Sequence, residues 1–263
     1  MKKICIVTTR HISYNPRVLK EADAFSGKGY RVVVVTVNNH QLQHSFDNEL
    51  MKTRSWKLRT VNFRKEEKSE KMAWLYLSLK QKIHALLLRF TWRFGVAERA
   101  MCKGYSELLK LAVMEGADFY LVHHPEALGI GYKAARLNGA KFGFDAEDFH
   151  TGMNESGTAS KEEEVISFLE KKYLPQCDYL TAASKGINEA YADKYGIKKG
   201  VVIHNVFPRE NVEASSVHQP VRFYWYSQSI GPNRSLEILM QAAAKIEEPF
   251  EIHLRGSFHT ETY

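Results

Sequence analysis

Residues 2–37 read KKICIVTTRHISYNPRVLKEADAFSGKGYRVVVVTV, and this stretch decides the fold class. Its two ends, KKICIVTT and YRVVVVTV, are short apolar runs rich in β-branched residues, which predicts two buried strands. Between them, Pro16 suits the first turn of a helix, and Gly27 and Gly29 end it. A strand, a helix and a strand in this order imply a parallel sheet with a right-handed crossover.

The same alternation continues along the chain. Further strands are predicted for DFYLVHH, KFGFDAED, DYLTAAS and KKGVVIHNVF. Between them lie helical segments, one opened by Ser160 and Glu163 in capping-box spacing and another by Ser184 as a helix cap. The pattern predicts the α/β class, with a Rossmann-like, doubly wound parallel sheet.

A polar stretch, PRENVEASSVHQP, interrupts the alternation and predicts a linker over residues 208–220. After it, VRFYWYSQS, NRSLEILMQAAAKIE and FEIHLRGS predict one more strand, helix and strand. A single β-α-β unit cannot bury both of its faces. We therefore expect one Rossmann-like domain over 1–207 and the beginning of a second, incomplete one over 221–263, in a chain truncated from a longer protein.

Composition sets the broad class. The 263 residues are 44% hydrophobic and 25% charged, which is ordinary for a soluble globular protein. No apolar run is long enough for a transmembrane helix, and the N-terminus lacks the apolar region of a signal peptide. The three cysteines have no metal-ligand spacing, which predicts buried, reduced thiols in a cytoplasmic protein.

The loop after the first strand argues against a dinucleotide or ATP site. It reads TTRHISYNPR and contains no glycine, whereas a Rossmann phosphate loop needs Gly-x-Gly-x-x-Gly for close backbone approach. Ligands in doubly wound folds lie beyond the carboxyl ends of the strands. The polar stretch KFGFDAEDFHTGM, residues 141–153, runs into that rim and is predicted to line a functional site.

Five segments together resemble glycosyltransferase family 4. In chain order they are TTRHISYNPRVLKEADAFSGKGYRVVVVTV, LVHHPEALGIGYKAA, KFGFDAEDFH, LTAASKGINEAYADKYGIKKGVVIHNVFP and FYWYSQSIGPNRSLEILMQAAAKI. The resemblance implies the GT-B fold of two facing Rossmann-like domains. It also implies transfer of a sugar from a nucleotide-sugar donor with retention at the anomeric carbon, no required metal, and no cofactor besides the donor substrate.

The resemblance assigns roles to individual residues. It implies an acceptor site in the first domain and a donor site in the second. The expected catalytic residues are Glu147 and Asp148. The expected acceptor-binding residues are Asn15, Arg17, His124, Glu126 and His150. The expected donor-binding residues are Asn205, Ser229 and Arg234. No metal-ligand set can be assembled from the sequence, so no metal site is expected.

Each assignment has an ordinary structural alternative. Glu147 orients an acceptor hydroxyl, takes its proton, or only caps the segment after its strand. Arg17 faces a ligand or forms a salt bridge at the start of its helix. Arg234 stabilises the leaving diphosphate or faces solvent. Ser229 stands where the family often has an arginine and Gln228 where it has a glycine, and the family's donor-site glutamates would fall beyond Tyr263, so we expect the chain alone to be nearly inactive.

The positive charge is concentrated in one segment. Residues 52–103 carry 14 Lys and Arg against 4 Glu. Within it, residues 70–103 are helical in period and interleave aromatic and aliphatic residues with cations. Two interpretations remain open: helices packed on the sheet, or a helix at an anionic membrane surface, which would suit a lipid-linked acceptor. Because the sequence contains no recognisable nucleic-acid-binding motif, the positive charge alone does not indicate nucleic-acid binding.

The expected function is sugar transfer from a nucleotide sugar to a glycan or lipid-linked acceptor, in cell-envelope polysaccharide synthesis. The expected location is the cytoplasm, at the inner face of the membrane if the basic helices bind it. One alternative is a non-catalytic carbohydrate-binding or partner-binding module of GT-B form. Another is an epimerase of this fold or an unrelated oxidoreductase.

Overall fold

The computed structural model describes residues 1–152, 159–207, 209, 220–231 and 234–258, without the side chains of Gln228 and Phe258. The chain divides into two compact units, Met1–Val206 and Phe207–Tyr263. Of the predicted linker over 208–220, only residues 209 and 220 are among those described.

The first unit is built on a seven-stranded sheet in which all neighbours are parallel. The strands are β1 (Lys3–Val7), β2 (Arg31–Asn38), β3 (Lys57–Asn62), β4 (Phe119–His123), β5 (Lys141–Ala146), β6 (Tyr179–Ala182) and β7 (Val201–Val202). Their spatial order is β3-β2-β1-β4-β5-β6-β7. This arrangement confirms the predicted doubly wound, Rossmann-like sheet.

Eight helices surround this sheet in the described part of the first unit. They are α1 (Pro16–Gly27), α2 (Gln41–Met51), α3 (Lys71–Leu87), α4 (Val96–Met101), α5 (Tyr105–Met114), α6 (Leu128–Asn138), α7 (Lys161–Tyr173) and α8 (Lys185–Tyr195). The predicted caps are confirmed. Ser160 and Glu163 form a complete capping box at α7, and the Ser184 hydroxyl accepts a hydrogen bond from the backbone N–H of Ile187 at 3.2 Å.

The central strands are buried on both faces, as parallel strands between helices require. Successive side chains of β1 alternate between two apolar clusters. Ile4 and Ile6 pack with α1, whereas Cys5 and Val7 belong to the larger cluster with α5 and α6. All three cysteines are free thiols, and burial raises the pKa of each.

The second unit contains the predicted strand, helix and strand. These are β8 (Val221–Ile230), α9 (Leu236–Ala243) and β9 (Phe250–Phe258), and the two strands pair in parallel. Their register shifts between Tyr226 and Ser229.

Candidate functional site

The chain order of the sheet reverses between β1 and β4, and in this fold class ligands bind outside the carboxyl ends of the strands at such a reversal. Two hydrogen bonds cross this point. Thr8 Oγ1 lies 3.1 Å from Nδ1 of His124, and the Thr9 hydroxyl donates to Glu126 Oε1 at 3.0 Å. We use the name crevice for the region outside these strand ends, between the loops that follow β1, β4 and β5.

His123, the last residue of β4, lies buried beneath the crevice between two glutamates. Its Nδ1 is 2.8 Å from Glu147 Oε1, and its Nε2 is 2.8 Å from Glu21 Oε2 on α1. Asp145 Oδ2 lies 3.5 Å from Nδ1. Burial alone favours the neutral ring, but the three carboxylates outweigh it and raise the pKa of His123 to about 10. His123 is therefore an imidazolium that donates from both nitrogens.

Arg17 of α1 forms a second buried ion pair beside the first. Its Nε and Nη2 donate to the two carboxylate oxygens of Asp145 at 2.6 and 2.5 Å. Its Nη1 donates to the backbone carbonyl of Ile203 at 2.7 Å, and the Thr181 hydroxyl donates to Asp145 Oδ1 at 2.5 Å. The guanidinium is thus engaged in the salt bridge that was one sequence-based alternative. Its role in acceptor binding stays a prediction.

Glu147 follows β5, and 22% of its side chain is exposed at the crevice. Burial alone raises the pKa of this carboxyl, but the hydrogen bond and positive charge of His123 lower it to about 2. A carboxylate this acidic is a weak proton acceptor. Of the three sequence-based alternatives for Glu147, the geometry favours orientation of a ligand hydroxyl over removal of its proton.

Asp148, the other predicted catalytic residue, lies outside this network of ion pairs. It is exposed, and its backbone carbonyl accepts a hydrogen bond from the Tyr191 hydroxyl at 3.2 Å. That bond fixes the turn after Glu147. The catalytic role of Asp148 stays a prediction without a contact to support it among the described residues.

His124 differs from its neighbour His123 in both charge and backbone. Burial, with the positive charge of Arg10, lowers the pKa of His124 to about 3, so its ring is neutral at physiological pH. Its φ is +70°, a value that non-glycine residues rarely adopt and that is concentrated at functional sites. Because Nδ1 of this neutral imidazole already pairs with the Thr8 hydroxyl, only Nε2 is left for another hydrogen bond.

The remaining predicted acceptor residues border the same loops. Asn15 is buried and caps α1, because its Oδ1 accepts from the backbone N–H of Val18 at 3.1 Å. Glu126 is half-buried in the turn after β4. His150 is half-buried and begins a one-turn helix, His150–Gly152, after β5. The fold thus brings these residues to one rim, although their ligand contacts stay predictions.

The predicted donor residues are divided between the two units. Asn205 lies in the first unit, where its Oδ1 accepts from Lys20 Nζ at 2.9 Å. In the second unit, Ser229 lies on β8 opposite Ser257 of β9. Arg234 is exposed just before α9, and its backbone carbonyl accepts from Trp225 Nε1 at 3.3 Å. Donor binding by these three residues stays a prediction.

Three groups in the ion-pair network lie close enough to hold a metal ion. One ligand atom from each of Glu21, His123 and Asp145 falls within 4.8 Å of the others. A histidine ligand must offer an unprotonated nitrogen, but both nitrogens of His123 are within hydrogen-bonding distance of glutamates. Asp145 is paired with Arg17. The geometry therefore favours ion pairs over metal ligation at this position.

The sequence interpretation did not assign roles to Glu21, His123, Asp145 or Thr181. The sequence does contain one indication that Glu21 lies near the site. Arg17 and Glu21 are four residues apart on a predicted helix, so they share a face and reach the same strand ends. The pairing of that face with β4 and β5 depends on the strand order, which the sequence pattern does not specify.

Several solved structures share this fold at low sequence identity. Anabaena HepE in complex with UDP-glucose matches with a TM-score of 0.62 and 12% identity, over 100% of this chain and 63% of that one. The lipopolysaccharide outer core galactosyltransferase WaaB matches with a TM-score of 0.56 and 12% identity, over 97% and 61%. Acinetobacter baumannii MurG matches with a TM-score of 0.51 and 14% identity, over 97% and 58%.

These similarities establish the fold, which is that of Rossmann-like GT-B proteins. The chain spans about three-fifths of the length of these structures. No protein-family model and no curated protein matches its sequence.

Proposed function

We propose that this chain is the acceptor-side part of a glycosyltransferase that uses a nucleotide-sugar donor. The observation that carries the proposal is the crevice at the β1–β4 reversal, where the partly exposed, charged carboxylate of Glu147 lies beside the loop of the neutral His124. The fold supports it, since a protein of the same fold is solved with UDP-glucose. The family 4 resemblance supports the finer proposal of a retaining, metal-independent transfer.

In this proposal the acceptor is bound through its hydroxyl groups. Glu147 accepts a hydrogen bond from the reacting or a neighbouring hydroxyl, and His124 supplies a neutral partner. The leaving diphosphate develops negative charge, which a fixed cation stabilises. Arg234 is the proposed cation, and Asn205 and Ser229 are the proposed donor contacts.

A lipid-linked acceptor in cell-envelope polysaccharide synthesis is proposed from α3 and the turn after it. Leu77 and Leu88 are buried, and Trp74 and Trp92 are half-buried against the core. A row of large apolar side chains is nevertheless exposed: Met72, Leu75, Tyr76, Leu79, Ile83, Leu86, Leu87, Phe90 and Phe94. Both sequence-based interpretations therefore find support, because one face of the helix packs inward and another meets solvent.

The most exposed aromatic side chains of this surface lie in the turn after α3. Phe90 and Phe94 are 80% and 90% exposed, and Arg89 and Arg93 beside them are exposed as well. Aromatic rings next to cations suit the interface of an anionic bilayer. Among the described residues, each helix is too short or too polar to cross a membrane. We therefore propose peripheral contact from the cytoplasmic side.

Co-sedimentation with phosphatidylcholine vesicles, with and without phosphatidylglycerol, tests the membrane contact. We expect binding that depends on the anionic lipid, and about tenfold or more weaker binding for the Phe90→Ser, Phe94→Ser double variant. Leu137→Ser removes another exposed apolar side chain, from α6, and should not change binding. Equal binding by both variants would refute the proposed surface.

Calorimetric titration with UDP, GDP and their common sugar conjugates, with and without Mg²⁺, tests the donor. A dissociation constant at or below about 100 μM, roughly −5.5 kcal/mol, would support a nucleotide site. Arg234→Ala should then abolish binding, whereas Lys245→Ala, which removes another exposed cation of the second unit, should not. Glycan binding without any nucleotide binding would instead favour the non-catalytic module.

A further inference from the structure

His123 is buried and cannot touch a ligand, yet it contacts a residue that can. Its side chain has no exposed area, whereas Glu147 keeps 22% of its side chain exposed at the crevice. The two are joined by a hydrogen bond of 2.8 Å between His123 Nδ1 and Glu147 Oε1. Any effect of His123 on a ligand therefore passes through Glu147.

We propose that His123 is a positioning residue, which holds the Glu147 carboxylate in one orientation and in its charged form so that a ligand hydroxyl meets a fixed acceptor. The identity of that hydroxyl as one of a sugar rests on the proposed function. The positioning itself rests only on the contacts of the first unit.

The ring of His123 is held from both sides, which makes it suitable for this role. Glu21 accepts from Nε2 at 2.8 Å, so a ring flip would replace two charged hydrogen bonds with carbon contacts. Glu21 comes from α1 and Glu147 from the loop after β5. The imidazolium thus connects a helix to the crevice, and its orientation does not depend on Glu147 alone.

The surrounding charges favour the ionised pair. The groups that face it are Glu21 and Arg17 from α1, Asp145 and Glu147 at the end of β5, and the neutral His124. Three carboxylates against one guanidinium keep the ring protonated, with a pKa of about 10, and the ring keeps Glu147 ionised, with a pKa of about 2. Neither group changes charge between about pH 4 and pH 8.

The test is carbon and nitrogen NMR of the whole chain, labelled at the glutamate carboxyl carbons and the histidine ring nitrogens. In the native chain we expect the Glu147 carboxyl signal to stay constant from pH 4 to pH 8 and both His123 nitrogens to stay protonated. In His123→Gln, the Glu147 signal should titrate at or above the ordinary glutamate value of about 4.3, because burial then raises its pKa without an imidazolium to oppose it. His40→Gln, at an exposed histidine, should leave it unchanged.

Two results would overturn the proposal. One is a Glu147 signal that titrates near its ordinary value in the native chain. The other is a His123→Gln variant in which Glu147 titrates as before. If His123→Gln does not fold, Glu21→Gln tests the pair from the opposite side, and the midpoint of His123 should then fall by one pH unit or more.

Adding methyl α-D-glucopyranoside and methyl α-D-galactopyranoside separates this proposal from the proposed function. If the titrations behave as expected but neither glycoside nor any nucleotide sugar binds, the positioning role is supported and the proposed function fails. If a nucleotide sugar and a glycoside both bind while Glu147 titrates normally, the proposed function is supported and the positioning role fails.

Discussion

Two glutamates, the half-buried Glu147 and the buried Glu170, lie on either side of the turn after β5, and their pKa values are shifted in opposite directions. Glu147 is paired with the imidazolium of His123, which lowers its pKa to about 2. Glu170 of α7 is held by the hydroxyls of Tyr191, Tyr195 and Thr151, at 2.8, 2.5 and 3.3 Å. Burial raises the pKa of Glu170 because these hydroxyls only partly offset it.

The difference shows that a nearby positive charge, more than the number of hydrogen bonds, decides whether a buried carboxyl stays ionised. Glu147 has one charged partner and reaches the crevice. Glu170 has three neutral partners and supports the turn from beneath, since Tyr191 also donates to the backbone carbonyl of Asp148. Glu147 therefore places a negative charge at the crevice, whereas Glu170 supports the loop that borders it.

The largest loss of stability should come from removing the guanidinium of Arg17, which pairs with Asp145 beside the His123–Glu147 pair. Arg17→Ala leaves Asp145 buried without its bidentate partner, so we expect the free energy of unfolding to fall by about 3–5 kcal/mol. Urea unfolding at pH 7 measures this. Arg31→Ala, at an exposed arginine of β2, should cost less than about 0.5 kcal/mol. A similar small loss for Arg17→Ala would mean that the ion pair does not hold α1 to the sheet.

His123→Gln should lower the free energy of unfolding by about 3 kcal/mol, which is somewhat less than Arg17→Ala, because the glutamine amide keeps one hydrogen bond. Its pH dependence is more diagnostic. The raised pKa of His123 stabilises the fold below about pH 6.5, and this contribution is lost as the pH rises toward 10. The lowered pKa of Glu147 stabilises it above about pH 4.5, and this is lost as the pH falls toward 2.

The gap in unfolding free energy between the native chain and His123→Gln should therefore be widest between about pH 4.5 and 6.5. Urea unfolding at several pH values gives that gap directly, with His40→Gln as the matched histidine control. A gap that is constant from pH 4 to pH 9 would contradict the charged pair and leave only a packing role for the ring.

The fold was largely predictable from the sequence, since six of the seven strands of the main sheet follow from short apolar runs that alternate with helical segments. The exception was β3, whose side chains are all half-buried or exposed and include Lys57 and Arg59. An edge strand of this kind carries too weak an apolar signal to be separated from a loop.

The candidate site was predictable only in outline. The pattern placed His124, Glu126 and Glu147 at strand ends, and these ends share a rim in any doubly wound sheet. The contact between Glu21 and His123 joins residues 102 positions apart. It requires β4 to pair with β1 next to the strand that leads into α1, which follows from the three-dimensional strand order and not from local periodicity.

Loss of a single hydroxyl around Glu170 should have a moderate effect. Tyr191→Phe removes the 2.8 Å bond to Glu170 and the bond to the carbonyl of Asp148, so we expect a loss of about 1–2 kcal/mol. Amide hydrogen exchange in residues 148–152 should also increase, because the turn loses its support. Unchanged exchange there would show that the Glu170 cluster stabilises α7 and α8 without fixing the turn.

The smallest effect should come from Glu170→Gln. The glutamine oxygen still accepts from a tyrosine hydroxyl, and the other hydroxyls rotate to accept from its amide, so the change at pH 4 should lie within about 0.5 kcal/mol. At higher pH we expect the native chain and the Glu170→Gln variant to differ in stability. An acid whose folded pKa is raised makes the fold less stable as the pH rises above its unfolded value of about 4.3, because the unfolded chain ionises first. Glu170→Gln removes that penalty and should gain stability relative to the native chain between pH 4 and pH 7, whereas Glu66→Gln at an exposed position should not. A variant that loses stability as the pH rises would mean that Glu170 is charged and paired in the fold, and the contrast with Glu147 would then disappear.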